Sequence, residues 1–199
     1  AIIEGYVEYL ESALAEGMPE PEKLGRIVKN LGRASGRLER YTESVRLLNQ
    51  SEETVLLPKP VRAAALLAEL SGELAVLAEG SGLRLTVTEM PPDREISVDE
   101  AALSRILENV VGNALRFAKT EIRLAFSLAE RRLAVLVEDD GEGFPPEVLR
   151  QGRKVLWTEG GEHMEIGLAV SRLLCRKHGG DLELFNGERG ACVKIRLTV

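Results

Sequence analysis

Three short stretches of this chain set polar side chains and glycines at spacings that could do chemistry on an anionic ligand. The first is Ile106–Ala118. Asn109, Asn113 and Arg116 stand at i, i+4 and i+7, so a helix carries them on one face. Two amides and a guanidinium aligned this way can hold a divalent cation and phosphate oxygens. A solvated polar face is the alternative, because Leu103, Ile106, Leu107, Val110, Val111 and Leu115 already supply a buried side. Asn is a mediocre helix former, which favours a functional reason for two of them. The second stretch is Val137–Phe144, where a strand delivers Asp139 and then Gly141 and Gly143. Glycines there let the backbone turn sharply and approach a ligand closely. A carboxylate at a strand end can accept a hydrogen bond from an exocyclic amine such as that of adenine, although the same loop would serve as a plain turn or a lone cation site. The third is Gly160–Ala169, a glycine-containing loop that opens a helix, and helix N-termini favour anions.

The elements that must position these residues follow from pattern and punctuation. A helix is expected over 61–79, ended by Gly80-Ser81-Gly82, then strands over 83–88 and 96–98. Asp99 can cap the next helix, which runs to about Ala118. Residues 121–129 and 132–138 alternate as an antiparallel pair around Glu130-Arg131. After a loop, 166–178 is helical with Gly179-Gly180 as its stop, and 181–186 with 191–199 form a closing hairpin. Helices and strands mix without regular βαβ alternation. The expected fold is therefore α+β, a two-layer sandwich with helices on one face of a mixed sheet.

The N-terminal part differs. Residues 1–54 read as a helical hairpin. Leu24, Ile27, Leu31, Ala34, Leu38, Tyr41, Val45 and Leu48 step by three and four, a heptad seam. A second copy buries such a seam most simply, which predicts a homodimer built as a four-helix bundle; the alternative is a hairpin folded back on its own second domain. Residues 55–60 read as a linker because Pro58 and Pro60 cannot sit inside a helix, and 61–199 as the second domain. A net charge of −6 argues against a general nucleic-acid binder. Cys175 and Cys192 lack metal-ligand spacing and read as buried reduced thiols, in keeping with a cytoplasmic chain. Apolar runs fall short of the roughly 20 residues of a membrane helix, so any membrane attachment would lie in other parts of a larger protein.

In this order and spacing the three stretches resemble the catalytic domain of sensor histidine kinases, within the superfamily that includes gyrase, Hsp90 and MutL. Asn109 and Asn113 match the family's N box and Arg116 its following basic residue, with Phe117 beside it. Asp139, Gly141 and Gly143 match the first glycine box, and Gly167-Leu168 the end of the second. The resemblance implies ATP and Mg²⁺ as cofactors, with Asn109 on the metal, Arg116 on phosphate and Asp139 on adenine. It also implies a response regulator receiver domain as partner. Hydrolases of the superfamily place a Glu where Asn109 stands, and an amide cannot act as a general base, so phosphoryl transfer to protein is implied.

The chain departs from the family in four places. The phospho-accepting His of the dimerisation helix would fall just before Ala1, which reads as truncation, and the fragment is then not expected to autophosphorylate. Of the two histidines, His178 reads as a helix C-terminal residue and His163 lies in the loop over the expected phosphates. The segment between Phe144 and Gly167 is short, as in short-lid members, with Trp157 as an aromatic anchor. Glu165 stands where a glycine is usual and sets a negative charge near the triphosphate, which costs roughly 1–4 kcal/mol at ~4 Å. Ala191 replaces a common Thr. The competing reading is a degenerate scaffold or phosphotransfer protein of the same fold that binds nucleotide poorly.

Overall fold

A computed structural model describes residues 24–30, 32, 54–151 and 164–199. Of the hairpin expected over 1–54, only 24–30, 32 and 54 are described; 24–30 are helical, and the rest of the heptad seam lies outside the described residues. Trp157 and His163 also lie outside them.

From residue 59 the elements run β1 (Lys59–Arg62), α1 (Ala63–Gly80), β2 (Arg84–Glu89), β3 (Glu95–Val98), α2 (Glu100–Phe117), β4 (Glu121–Ala129), β5 (Arg132–Asp139), α3 (Pro146–Gln151), α4 (Met164–Lys177), β6 (Asp181–Asn186) and β7 (Ala191–Thr198). Five strands form one mixed sheet in the order β2-β4-β5-β7-β6. The β2–β4 pair is parallel and the other three pairs are antiparallel. Alternation along β4 buries Ile122, Leu124 and Phe126, and along β5 it buries Leu133, Val135, Val137 and Asp139. These side chains share one face of the sheet, as the period of two requires. Helices cover that face, with α2 packed against α4 and against β5. The sandwich expected from the sequence is thus observed in the described residues of 61–199.

Local differences have physical causes. Lys59 and Pro60, expected in a linker, belong to β1, which pairs only with β3 in a separate two-stranded ribbon. Pro60 is tolerated there because a ribbon edge does not need its missing N–H. The helix expected from Val61 starts at Ala63, whose N–H bonds to the Arg94 carbonyl. In α2 the buried stripe includes Ala114, while Leu115 is only half-buried. The short α3 and the early start of α4 at Met164 were not expected. Asp99 caps α2 as anticipated, with Oδ1 accepting from the Ala102 N–H at 2.9 Å, and Oδ2 also accepts from the Leu57 N–H at 2.8 Å.

At the far end of α4, Gly179 takes φ 67°. The Gly180 and Gly179 N–H groups bond to the Cys175 and Arg176 carbonyls, a Schellman stop. His178 is buried there, with Nδ1 3.0 Å from the Leu174 carbonyl, so it is part of the helix end. Cys175 and Cys192 are free and buried, and burial pushes both thiols up, to about 12 and about 11.

Candidate functional site

The site is built on α2. Its apolar stripe, with Leu103, Ile106, Leu107, Val110 and Val111 each at most 1% exposed, locks the rotation of the helix against the sheet and α4. Rotation fixed in this way turns Asn113 and Arg116 toward a cavity, while Asn109, one turn earlier, faces α4. The Asn109 Nδ2 donates to Ser171 Oγ at 3.3 Å, and Ser171 is fully buried. A serine hydroxyl can donate or accept, so this contact engages one end of the Asn109 amide and leaves the other for a further partner. The Asn109 Oδ1 lies 3.4 Å from where a Cβ on Gly167 would stand, so Gly167 packs directly against the Asn109 amide. Glu108 turns elsewhere and accepts from Ser104 Oγ at 2.8 Å on the exposed side of the helix.

Asp139 closes the other wall. It sits at the last position of β5 and is only 5% exposed. Its Oδ1 accepts from the Gly141 N–H at 2.9 Å and the Ala191 N–H at 3.3 Å. Oδ2 takes part in neither bond. Burial raises the pKa above the usual aspartate value; the two backbone bonds oppose the rise, and Asp140 and Glu138 add to it. Gly141 is required here, since a Cβ would stand 2.4 Å from the Phe117 carbonyl oxygen. Gly143 takes φ 83°, a conformation that L side chains rarely adopt.

The neighbouring Asp140 ties this loop to the end of α2. Its carboxylate accepts from the Lys119 N–H at 2.8 Å, the Thr120 N–H at 3.0 Å, the Glu121 N–H at 3.2 Å and the Thr120 hydroxyl. Partial burial works against the charge, but these donors outweigh it and hold the carboxyl well below the usual range. Arg116 lies over the Phe117 ring at 5.5 Å.

A cavity of about 330 Å³ lies between these walls. Of the residues singled out in the sequence, Asn113, Arg116, Phe117, Asp139, Gly143 and Ala191 line it. Asn109, Gly141, Gly167 and Leu168 do not. Asn109 and Gly167 meet beside the cavity on α4's first turns, Gly141 packs beneath Asp139, and Leu168 is a core residue at 1% exposure. Glu165 belongs to the first turn of α4, and its side chain lies outside the described residues. The sequence reading passed over Lys119, Glu142, Phe144 and Pro145, and the apolar lining of Val110, Ala114, Val137 and Val193. A flat apolar ligand moiety suits such walls, with a carboxylate at one side and Arg116 and Lys119 at another. Ser171 and Asn186, which hold site residues from α4 and β6, were also passed over. No group of three or more His, Cys, Asp or Glu side chains able to hold a metal occurs among the described residues.

Fold and site together define an ATPase-type α+β sandwich with its ligand cavity between a polar helix face and a strand-end aspartate. The chain belongs to the histidine kinase-, DNA gyrase B- and HSP90-like ATPase family, whose model matches residues 98–199, more than half of it. Among curated proteins it is similar to the sensor histidine kinase CpxA of Escherichia coli, 28% identical over 151 residues. That match covers 72% of this chain but only 33% of CpxA, so the chain spans about a third of that relative's length. Its fold matches full-length ShkA in complex with AMPPNP, with TM-score 0.65, 20% identity and coverage of 100% of this chain and 46% of that one. It also matches the histidine kinase ThkA in complex with the response regulator TrrA, with TM-score 0.66, 18% identity and coverage of 99% and 56%. The domain is thus the histidine kinase type of ATPase domain, as the N-box and glycine-box residues implied. No helix of the described residues is long and apolar enough to cross a membrane.

Proposed function

We propose that this chain binds ATP with Mg²⁺ in the cavity beside α2 and donates the γ-phosphoryl group to a protein histidine in two-component signalling. The observation that carries the reading is Asp139, a buried carboxylate whose Oδ1 is fixed by two backbone N–H groups at the wall of a cavity that Val110, Ala114, Val137 and Val193 also line. Its remaining oxygen suits the exocyclic amine of adenine, and Val110, Ala114, Val137 and Val193 suit the faces of the ring. Arg116 and Lys119 suit phosphate oxygens.

Asn109 fits a metal ligand: Ser171 engages one end of its amide, and with the nitrogen on Ser171 the oxygen, the only amide atom that binds a hard cation, is left for the ion. One protein oxygen is enough where phosphates and water complete the octahedron, and the ion would supply charge neutralisation between phosphates. Position 109 carries an amide, which cannot act as a general base, and the adjacent Glu108 is bonded to Ser104 on the exposed side of the helix. Transfer to a protein acceptor then rests on positioning and charge stabilisation.

Joined to this are a homodimer through residues 1–54, a response regulator receiver domain as the next phosphoryl acceptor, and a cytoplasmic location, with any membrane anchor in parts of a larger protein outside this chain. The relative solved with a response regulator supports the partner class.

Calorimetric titration of the 199-residue chain with AMPPNP, with and without Mg²⁺, tests the core of this proposal. One site per chain with Mg²⁺-dependent affinity is expected, and Asn109→Ala should remove most of the Mg²⁺ dependence. A folded protein that takes up no AMPPNP would sink the proposal and favour the scaffold reading.

A further inference from the structure

The loop from Asp139 to Phe144 is held at both ends by one rung of the β6–β7 hairpin. Asn186, the last residue of β6, is the register partner of Ala191, the first residue of β7. Ala191 donates its N–H to Asp139 Oδ1 at 3.3 Å. On the other side of the rung, the Asn186 side chain pairs with the Phe144 backbone twice. Its Oδ1 accepts from the Phe144 N–H at 2.7 Å, and its Nδ2 donates to the Phe144 carbonyl at 3.0 Å. The amide thus acts as one more strand residue would, closing a two-bond bridge onto a loop that has no strand beside it there. The bridge passes so close to Gly143 that a Cβ at 143 would stand 2.9 Å from the Asn186 amide carbon, which explains glycine at that point independently of its φ. Phe144 is buried and lines the cavity, as do Gly143 and Asp139.

We infer that Asn186 is a positioning residue for nucleotide binding: its side-chain amide, by bridging Phe144 to the β6–β7 rung that also holds Asp139, sets the spacing between the adenine-reading carboxylate and the Phe144 wall of the cavity. The inference rests on the nucleotide reading of the cavity. Asn186 does not line the cavity, so its effect runs through Phe144 and Gly143. An amide, with donor and acceptor side by side, satisfies both Phe144 groups at once, which neither an alanine nor an ionised aspartate does. An aspartate there would set a carboxylate oxygen against the Phe144 carbonyl, and protonation would restore a donor.

The test compares wild type, Asn186→Ala and Asn186→Asp in the full chain. AMPPNP affinity in Mg²⁺ is measured at neutral pH, where an aspartate at 186 is ionised. Asn186→Ala should weaken binding roughly three- to tenfold, the effect of one or two hydrogen bonds. Asn186→Asp should be at least as weak, because its carboxylate cannot donate to the Phe144 carbonyl. Equal affinity of all three proteins overturns the inference.

A second readout needs no nucleotide: backbone amide exchange at Phe144, followed by NMR. Exchange should accelerate in Asn186→Ala while the β4–β5 amides keep their protection. If wild type binds no AMPPNP, the nucleotide reading falls, and unchanged Phe144 exchange would separately remove the bridge.

Discussion

Replacing Asp140 by Ala removes the carboxylate that joins the end of α2 to the first glycine loop. Four donors lose their acceptor: the N–H groups of Lys119, Thr120 and Glu121 and the Thr120 hydroxyl. Hydrogen bonds to a charged group contribute about 1.5–3 kcal/mol each when shielded. These lie near solvent, where water can replace the lost acceptor and screening weakens the charge, so the sum is far smaller. A loss comparable to removing a helix cap, about 1–2 kcal/mol, follows. At roughly 2–4 °C per kcal/mol for a domain of this size, Tm should fall by about 2–8 °C.

The pH dependence gives a sharper check. The pKa of Asp140 is depressed in the folded state, so its contribution is fully present above the unfolded value of 3.8 and is lost as pH falls through the lower folded value. The Tm difference between wild type and Asp140→Ala should therefore hold constant from neutral pH down to about pH 5 and shrink only in strong acid. Thermal melts by circular dichroism across this range would measure it. A difference that is absent at neutral pH, or that grows on acidification, would refute the clamp as described.

Two further outcomes follow from the same geometry. Gly141→Ala forces a Cβ to within 2.4 Å of the Phe117 carbonyl oxygen and 2.9 Å of Asp139 Oδ1. Relief requires backbone movement, so a stability loss of about 1–3 kcal/mol is expected in denaturant melts, with weaker AMPPNP binding in the protein that remains folded. The second outcome concerns acid. Burial, as the largest cause, raises the Asp139 pKa in the nucleotide-free fold, so its ionised form is lost at a higher pH than for an ordinary aspartate. AMPPNP affinity should begin to fall on acidification above the ordinary value of 3.8, and Asp139→Asn should lack that step; titrations over a pH series would show both.

Much of the site was readable from local pattern because its parts are local. The i, i+4, i+7 spacing of Asn109, Asn113 and Arg116 became a helix face because Leu103, Ile106, Leu107, Val110 and Val111 fix how α2 turns. Asp139 was legible as a strand-end carboxylate, and its burial follows from sharing the inner face of β5 with Leu133, Val135 and Val137. What stayed hidden depends on pairings across the chain. Ser171 meets Asn109 across 62 residues, and Asn186 meets Phe144 across 42. Neither residue has a spacing to its partner that any periodicity could reveal. Pro58 and Pro60 suggested a linker because proline excludes a helix, but Pro60 does not exclude the edge of a ribbon, and β3 supplies that partner. The one-sided split of Asn109 from the cavity was likewise invisible, since one helix face can look onto both a cavity and a neighbouring helix.

The central claim is that the cavity holds adenine against Asp139. The most direct measurement is calorimetric titration of wild type and Asp139→Asn with AMPPNP in Mg²⁺ at neutral pH, with both proteins shown to be folded. Asn keeps an acceptor for Gly141 and Ala191 but can set an N–H₂ against the adenine amine in place of a carboxylate oxygen. Losing a charged hydrogen bond of about 1.5–3 kcal/mol should weaken binding at least tenfold, with wild type binding one nucleotide per chain. Equal affinity in the two proteins would contradict the assignment of Asp139 and with it the placement of adenine in this cavity.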